Sequence, residues 1–278
     1  MSNKSISDSA FLVNESRSRR VDISKDIYAS LWINESSNKL WNDFYAEVYT
    51  FDDIQLSLRN RFFLDQLKLF INKSSNPVFI NIGAGFTSYP FLVSEDCKFI
   101  EVDLSNIIGY KQEKIKQFIE NGEIPYRDIT FLSADICNKI DLIKLKESLI
   151  PLIDCNPSFV LFEGISYFLN RQNLSYLFNI LSEIQTSKSI LAFDFWKPEG
   201  ADNLVLKKLM RFFSDRFGFD NTQYNLMDLD FVKNINGYEV AESTNIQELE
   251  KIYTEDTFLS NYNKIIPEYY VILKLSVS

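Results

Sequence analysis

The stretch Val78-Phe79-Ile80-Asn81-Ile82-Gly83-Ala84-Gly85-Phe86-Thr87 decides how the chain is read. A short apolar run, too brief for a core helix, enters two glycines, as a buried strand does when it ends in a turn. Gly83 and Gly85 allow that turn to be tight, and around Ala84 they let a ligand meet bare main chain. An ordinary strand-to-helix turn has the same composition, so this motif alone does not assign a ligand. Upstream, Ser74-Ser75-Asn76-Pro77 separates the strand from what precedes it. Downstream, Phe99–Val102, Ile129–Leu132, Phe159–Phe162 and Ile190–Phe193 repeat the apolar run. Helical patterns near Phe86–Val93, Asn106–Glu120, Asp141–Ile150 and Gln172–Gln185 lie between them. Such alternation predicts an α/β fold with a mainly parallel sheet covered by helices on both faces. Tyr238–Ser243 and Tyr269–Leu275 alternate with polar residues and are expected to close the sheet as an antiparallel pair.

Ahead of the first strand, Asp22 to Asn72 is helical in pattern and rich in aromatic residues. The expected organisation is a flexible, serine-rich lead-in over 1–20, a helical lid over 21–75, and a ligand-binding domain over 76–278. Of the 278 residues, 29 are basic and 38 acidic, giving −9. That balance disfavours nucleic acid and anionic membrane surfaces as partners. Three cysteines without a CxxC pair suit a reducing compartment. With no secretory h-region or membrane-length apolar stretch, the sequence predicts a cytoplasmic protein. There is no histidine, so any chemistry proceeds without an imidazole base, and no cluster of metal ligands is evident.

Acidic residues recur where the predicted strands end. Asp103, with Glu101 behind it, follows the glycine turn by about 20 residues, the spacing at which a carboxylate accepts hydrogen bonds from ribose hydroxyls. A surface acid capping the next helix is the plain alternative. Ser88 stands where a dinucleotide fingerprint needs its third glycine, which counts against NAD. Asp135 can accept from an adenine amino group while Ile136 covers the ring, although a helix cap fits Asp135 as well. Glu163 closes a buried strand and must meet a cation or a donor there. Gly164 again allows close approach.

These pieces together resemble the leucine carboxyl methyltransferase family, which includes protein C-terminal carboxyl methyltransferases and bacterial O-methyltransferases of polyketide pathways. The resemblance rests on Gly83-Ala84-Gly85, Glu101-Val102-Asp103, Ala134-Asp135, and Glu163-Gly164 followed by Tyr167 and Leu169. It implies a Rossmann-like class I methyltransferase fold with a seven-stranded sheet, and S-adenosylmethionine as cofactor. It implies that Asp103 and Leu104 hold the ribose region. Arg59, in Arg59-Asn60-Arg61-Phe62-Phe63-Leu64-Asp65, would grip the methionine carboxylate, helped by Lys25. Thr87 departs from the family, which usually has an aspartate or similar residue there.

The implied reaction is in-line transfer of a methyl group to an oxygen of a small molecule, a carboxylate or an acidic hydroxyl. Alignment of the reacting atoms can contribute roughly 7–11 kcal/mol. Tyr167 is the candidate for orienting the acceptor, with Phe195 and Trp196 as pocket walls and Asn245–Pro267 as a further wall. Alternatives are a protein C-terminal carboxyl methyltransferase, an NAD-dependent oxidoreductase, and a non-catalytic cofactor-binding protein. The sequence does not address oligomeric state.

Overall fold

Four helices precede the sheet in this computed structural model, which describes residues 3–94, 96–218 and 224–276. They are α1 (Asn3–Arg19), α2 (Val21–Ser24), α3 (Glu35–Glu47) and α4 (Asp52–Lys73). Then come β1 (Val78–Ile82), α5 (Tyr89–Leu92), β2 (Lys98–Asp103), α6 (Ser105–Glu120), β3 (Ile129–Ser133), α7 (Lys139–Ile153), β4 (Ser158–Phe162), α8 (Arg171–Ile184) and β5 (Ile190–Trp196). The chain continues through α9 (Leu204–Phe217), α10 (Leu229–Lys233), β6 (Tyr238–Asn245), α11 (Ile246–Tyr253) and β7 (Glu268–Leu275).

The seven strands lie in the order β3-β2-β1-β4-β5-β7-β6. β1 to β5 are parallel, and β7 runs antiparallel between β5 and β6. The strand order reverses between β1 and β4, where an open α/β sheet leaves a crevice at its carboxyl edge. Successive side chains of a strand face opposite sides. Phe79, Phe99, Phe159 and Tyr270 accordingly pack with α3, α4 and α9 residues in one core. Val78, Ile80, Ile82, Val160 and Phe162 pack with α7 and α8 residues in another. Burial on both faces is why β1 and β4 read as unbroken apolar runs.

The N-terminus corrects the sequence reading. The segment expected to be a flexible lead-in forms α1, and Leu12, Asn14, Glu15, Ser16 and Arg17 are buried in it; residues 1 and 2 lie outside the described residues. Of those polar side chains, Glu15, Ser16 and Arg17 have partners on other helices, and Asn14 bonds within α1. Ser37 and Asn38 of α3 donate to Glu15, each at 3.1 Å, and Trp41 Nε1 donates to Ser16 Oγ at 3.0 Å. A helix held by buried polar contacts lacks the apolar stripe that would have announced it. The sequence reading also gives no element between Phe193 and Tyr238, where α9 and α10 lie.

Beneath the glycine turn sits a fully buried ion pair. Lys111 Nζ of α6 lies 2.7 Å from Glu101 Oε2 of β2 and donates to the Ala84 carbonyl at 3.4 Å. Removing one partner of a buried pair costs about 3–5 kcal/mol, whereas replacing both with apolar groups of similar size is often neutral. Lys111→Met should therefore lower stability by about that amount in urea unfolding, with the Glu101→Leu/Lys111→Met double variant recovering much of the loss. A double variant less stable than the single one would contradict this.

Candidate active site

A cavity of about 530 Å³ opens at the carboxyl edge of the sheet, at the switch point between β1 and β4. Ala10, Val13, Asn14 and Arg17 of α1 line it from above, and Asp52, Gln55, Leu56 and Arg59 form a stripe of α4 along one side. Those four α4 positions are spaced i, i+3, i+4 and i+7, one face of a helix.

At one end stand the predicted nucleoside-binding residues. Gly83 and Gly85 have φ of +71° and +45°, so the turn after β1 needs residues that tolerate the left-handed region. A Cβ on Gly83 would lie 2.3 Å from Ile165 Cδ1. Thr87, the departure from the family pattern, clamps this turn: it accepts from Asn81 Nδ2 at 2.8 Å and donates to the Ala84 carbonyl at 2.9 Å. Ser88, in place of the third glycine, accepts from Trp32 Nε1 at 3.3 Å. Asp103 Oδ2 accepts from the Gly85 amide at 2.8 Å, and Oδ1 from the Leu104 amide at 2.7 Å. Burial pushes the Asp103 carboxyl above its usual range, against the pull of those two amides. Each oxygen keeps a lone pair for a further donor. Asp135 is exposed at the rim and accepts from the Cys137 amide at 2.9 Å; the cap of α7 is Asn138, not Asp135. Gly83, Ala84, Gly85, Asp103, Leu104, Asp135 and Ile136 all line the one cavity. Glu101, the reserve candidate for the ribose, is turned to Lys111 instead.

In the middle, Arg59 sits among three carboxylates. Its Nε lies 3.0 Å from Glu163 Oε1, and its Nη1 lies 3.2 Å from Asp194 Oδ2 and 3.1 Å from Glu268 Oε1. Burial by itself would lower the guanidinium pKa, but Glu268, Tyr167, Asp194 and Glu163 hold it well above the usual value. Burial, with Glu268 beside it, pushes Asp194 well above the usual carboxylate range. Glu163 thus meets the cation that its strand-end position demands, and its other oxygen accepts from Tyr89 at 2.7 Å. Arg59 Nη2 has no partner among the described residues; it sits where a Cβ on Gly164 would come within 3.2 Å. Gly164, at φ +75°, donates its amide to Asp194 Oδ1 at 2.7 Å.

One predicted assignment changes, that of Lys25. Lys25 caps α2 in the left-handed region, with its side chain exposed and off the cavity wall. The basic group beside Arg59 is Arg17, which donates to Asn60 at 3.1 Å and Asn14 at 2.7 Å and pairs with buried Asp26. Tyr167 lines the cavity, but its hydroxyl accepts from Arg59 Nη1 at 3.4 Å and its ring stacks on Trp196 at 3.8 Å. Burial pushes that hydroxyl well above its usual pKa, which makes it a poor base.

The far end of the cavity is aromatic, with Phe44, Phe168, Trp196, Phe213 and Tyr224 in its wall. Phe195, expected beside Trp196, faces the opposite side of the sheet and belongs to the other core. From the expected wall segment Asn245–Pro267, Ile266 reaches the cavity. Asp52, Arg17 and Glu268 in the cavity wall, and Asp194 behind Arg59, are the charged side chains of the candidate site that sequence reasoning missed. The i, i+3, i+7 spacing of Asp52, Gln55 and Arg59 was the available signal for the first.

Solved structures confirm the architecture as a Rossmann-like methyltransferase fold. A DUF574 family protein from Streptomyces avermitilis MA-4680 is similar at a TM-score of 0.63 and 15% identity, over 94% of this chain and 97% of that one. Magnesium protoporphyrin IX methyltransferase from Synechocystis PCC 6803, with bound S-adenosylhomocysteine, is similar at 0.50 and 14%, over 87% and 96%. An O-methyltransferase family protein from Burkholderia thailandensis is similar at 0.50 and 10%, over 96% and 72%. Residues 12–182, more than half of the chain, match the leucine carboxyl methyltransferase family, and the chain belongs to that family. No curated protein sequence matches it.

Gly164 gives a test of the central cluster. Gly122 has a similar φ, +71°, but a Cβ there would meet nothing within 4 Å. Gly122→Ala should cost only the left-handed backbone penalty, roughly 1–2 kcal/mol. Gly164→Ala should cost more, because its neighbour is a guanidinium fixed by three carboxylates. Equal losses in chemical unfolding would show that Arg59 yields freely.

Proposed function

We propose that the cavity binds S-adenosylmethionine and that the protein transfers its methyl group to a hydroxyl oxygen of a small, largely apolar acceptor. The observation that carries this reading is the single continuous cavity: the glycine turn, Asp103 and Asp135 stand at one end and an aromatic wall at the other. Its volume falls in the range usual for small-molecule sites. In this arrangement Asp103 accepts from the ribose hydroxyls and Asp135 with Ile136 takes the adenine. The free Nη2 of Arg59, supported by Arg17, holds the methionine carboxylate, and Gly164 leaves room for it. The cofactor supplies an activated methyl group. The chain supplies alignment, and α1 and α4 exclude water.

The acids of the cavity favour a hydroxyl over a carboxylate acceptor, including the C-terminal carboxylate of a protein. Asp52, Glu163 and Glu268 line the wall, Arg17 is paired with Asp26, and the remaining Arg59 nitrogen, Nη2, is taken by the carboxylate of the cofactor, so no cation is left for a second carboxylate. A carboxylate entering there would meet like charge. An amine acceptor is the second reading, since acids beside the Trp196 and Tyr224 rings also suit a cation. Incubation with methyl-labelled cofactor and a native extract, with the labelled product identified by mass, separates oxygen from nitrogen acceptors.

Asp103→Ala should weaken S-adenosylhomocysteine binding by about 2–3 kcal/mol in calorimetry, the loss of charge-assisted ribose contacts. An unchanged affinity in folded protein would contradict the ribose assignment.

A further inference from the structure

Among the buried acids around the cavity, three have both carboxylate oxygens engaged. Glu163 is held by Arg59 and Tyr89. Asp194 accepts from the Gly164 amide and from Arg59. Glu268 accepts from Arg59 on Oε1, and on Oε2 from Tyr270 at 2.6 Å and Gln55 at 3.4 Å. Asp52 differs. Its Oδ2 accepts from Ser16 Oγ at 2.5 Å, and its Oδ1 has no partner among the described residues. Asp52 is only 4% exposed, yet it forms part of the cavity wall. The Oδ1 oxygen is not among the enclosed unpartnered atoms of the described residues, so with Asp52 in the cavity wall it is open to a donor, and a ligand hydroxyl could supply one.

The geometry points to Asp52 as the general base of the reaction, accepting the proton of an acceptor hydroxyl on its Oδ1. This rests on the reading of the protein as a methyltransferase acting on hydroxyl compounds. The hydroxyl O–H bond breaks and its proton passes to Asp52. The oxygen lone pair forms a bond to the sulfonium methyl carbon, and the carbon–sulfur pair stays on sulfur as a neutral thioether. Asp52 returns the proton to water as the products leave.

Position and orientation fit the role. Asp52 is seven residues before Arg59 on the same face of α4, about 10 Å along the helix axis. With Arg59 at the amino-acid end of the cofactor, Asp52 stands on the acceptor side. Trp41 Nε1 donates to Ser16, and Ser16 donates to Asp52, so the carboxylate is fixed from behind. Burial is the largest influence on its acidity and brings the carboxyl to about 7. Ser16 and Arg59 pull it down, and Asp53 and Glu268 push it up. Tyr49, itself raised well above its usual value by burial, is a further titratable group beside it. A base with that acidity is matched to phenols and enols near neutral pH. The rings of Trp196 and Tyr224 line the aromatic end of the cavity. The acceptor class that fits Asp52 Oδ1 together with the aromatic wall is a planar hydroxyaryl compound.

The test compares wild-type protein with Asp52→Asn, which keeps an oxygen for Ser16. Labelled S-adenosylmethionine is supplied with p-nitrophenol, p-hydroxyacetophenone and p-cresol, in order of falling acidity. The variant should bind S-adenosylhomocysteine within about twofold of wild type. Its kcat/KM should fall on the order of 10²–10⁴-fold for p-cresol, with a much smaller loss for p-nitrophenol, which ionises without help. An equal loss across the series, or none, would overturn the role of Asp52 while leaving methyl transfer to hydroxyls standing. Wild-type protein that binds S-adenosylhomocysteine and methylates no phenol would overturn the hydroxyl reading and the base together. Stability gives a readout independent of turnover. A carboxyl whose pKa is raised on folding stabilises below its unfolded value of about 4, and that contribution is lost as pH rises through about 7. The melting temperature of Asp52→Asn should therefore gain on wild type between pH 4 and 8. A difference that stays constant over that range would count against Asp52 as a proton acceptor near neutrality.

Discussion

One guanidinium, that of Arg59, binds carboxylates from the end of β4, from β5 and from β7 while it is itself carried by α4. Taking these charges out of water is expensive, and only good geometry with further hydrogen bonds repays it. The surroundings meet that condition. Tyr89 takes the free oxygen of Glu163, the Gly164 amide takes one of Asp194, and Tyr270 and Gln55 take one of Glu268. The cluster thereby fixes the N-terminal helices against the carboxyl edge of the sheet.

The same junction divides the cavity by chemistry. On one side are backbone amides, the glycine turn and the acids at the tips of β2 and β3, a surface suited to a nucleoside. On the other are aromatic rings from α3, β5 and α9 and the loops near them. Helix α1 covers both, with Phe11 packed on Phe86 directly after the glycine turn. A roof over an activated methyl group keeps water from competing with the acceptor. The buried pair of Glu101 and Lys111 braces the glycine turn from below, so the end of the cavity suited to a nucleoside is supported from both sides.

Much of this was legible in the sequence, for identifiable reasons. Strands β1 to β5 are flanked by helices, so their apolar runs stand out, and the two glycines after Ile82 mark the crevice. A glutamate at the end of Phe159-Val160-Leu161-Phe162 had to be paired, and Arg59 pairs it. The closing antiparallel strands followed from their alternation. Helix α1 was not legible, because its buried side chains are mostly polar and the partners of Glu15, Ser16 and Arg17 on other helices lie 22 to 43 residues away. Asp194 and Glu268 carry no signal in the sequence, since only the sheet brings β5 beside β7. In Ser24-Lys25-Asp26 the sequence drew attention to the lysine, but the aspartate is the buried member, facing Arg17.

The account stands on where the ligand lies relative to Arg59. Crystallographic analysis of the protein with S-adenosylhomocysteine tests this most directly. The prediction is adenosine held between Asp103 and Asp135, the amino-acid carboxylate on Arg59 Nη2, and sulfur facing the end of the cavity that holds Asp52 and Trp196. A ligand bound outside this cavity, or inside it with sulfur turned away from Asp52 and Trp196, would contradict the account.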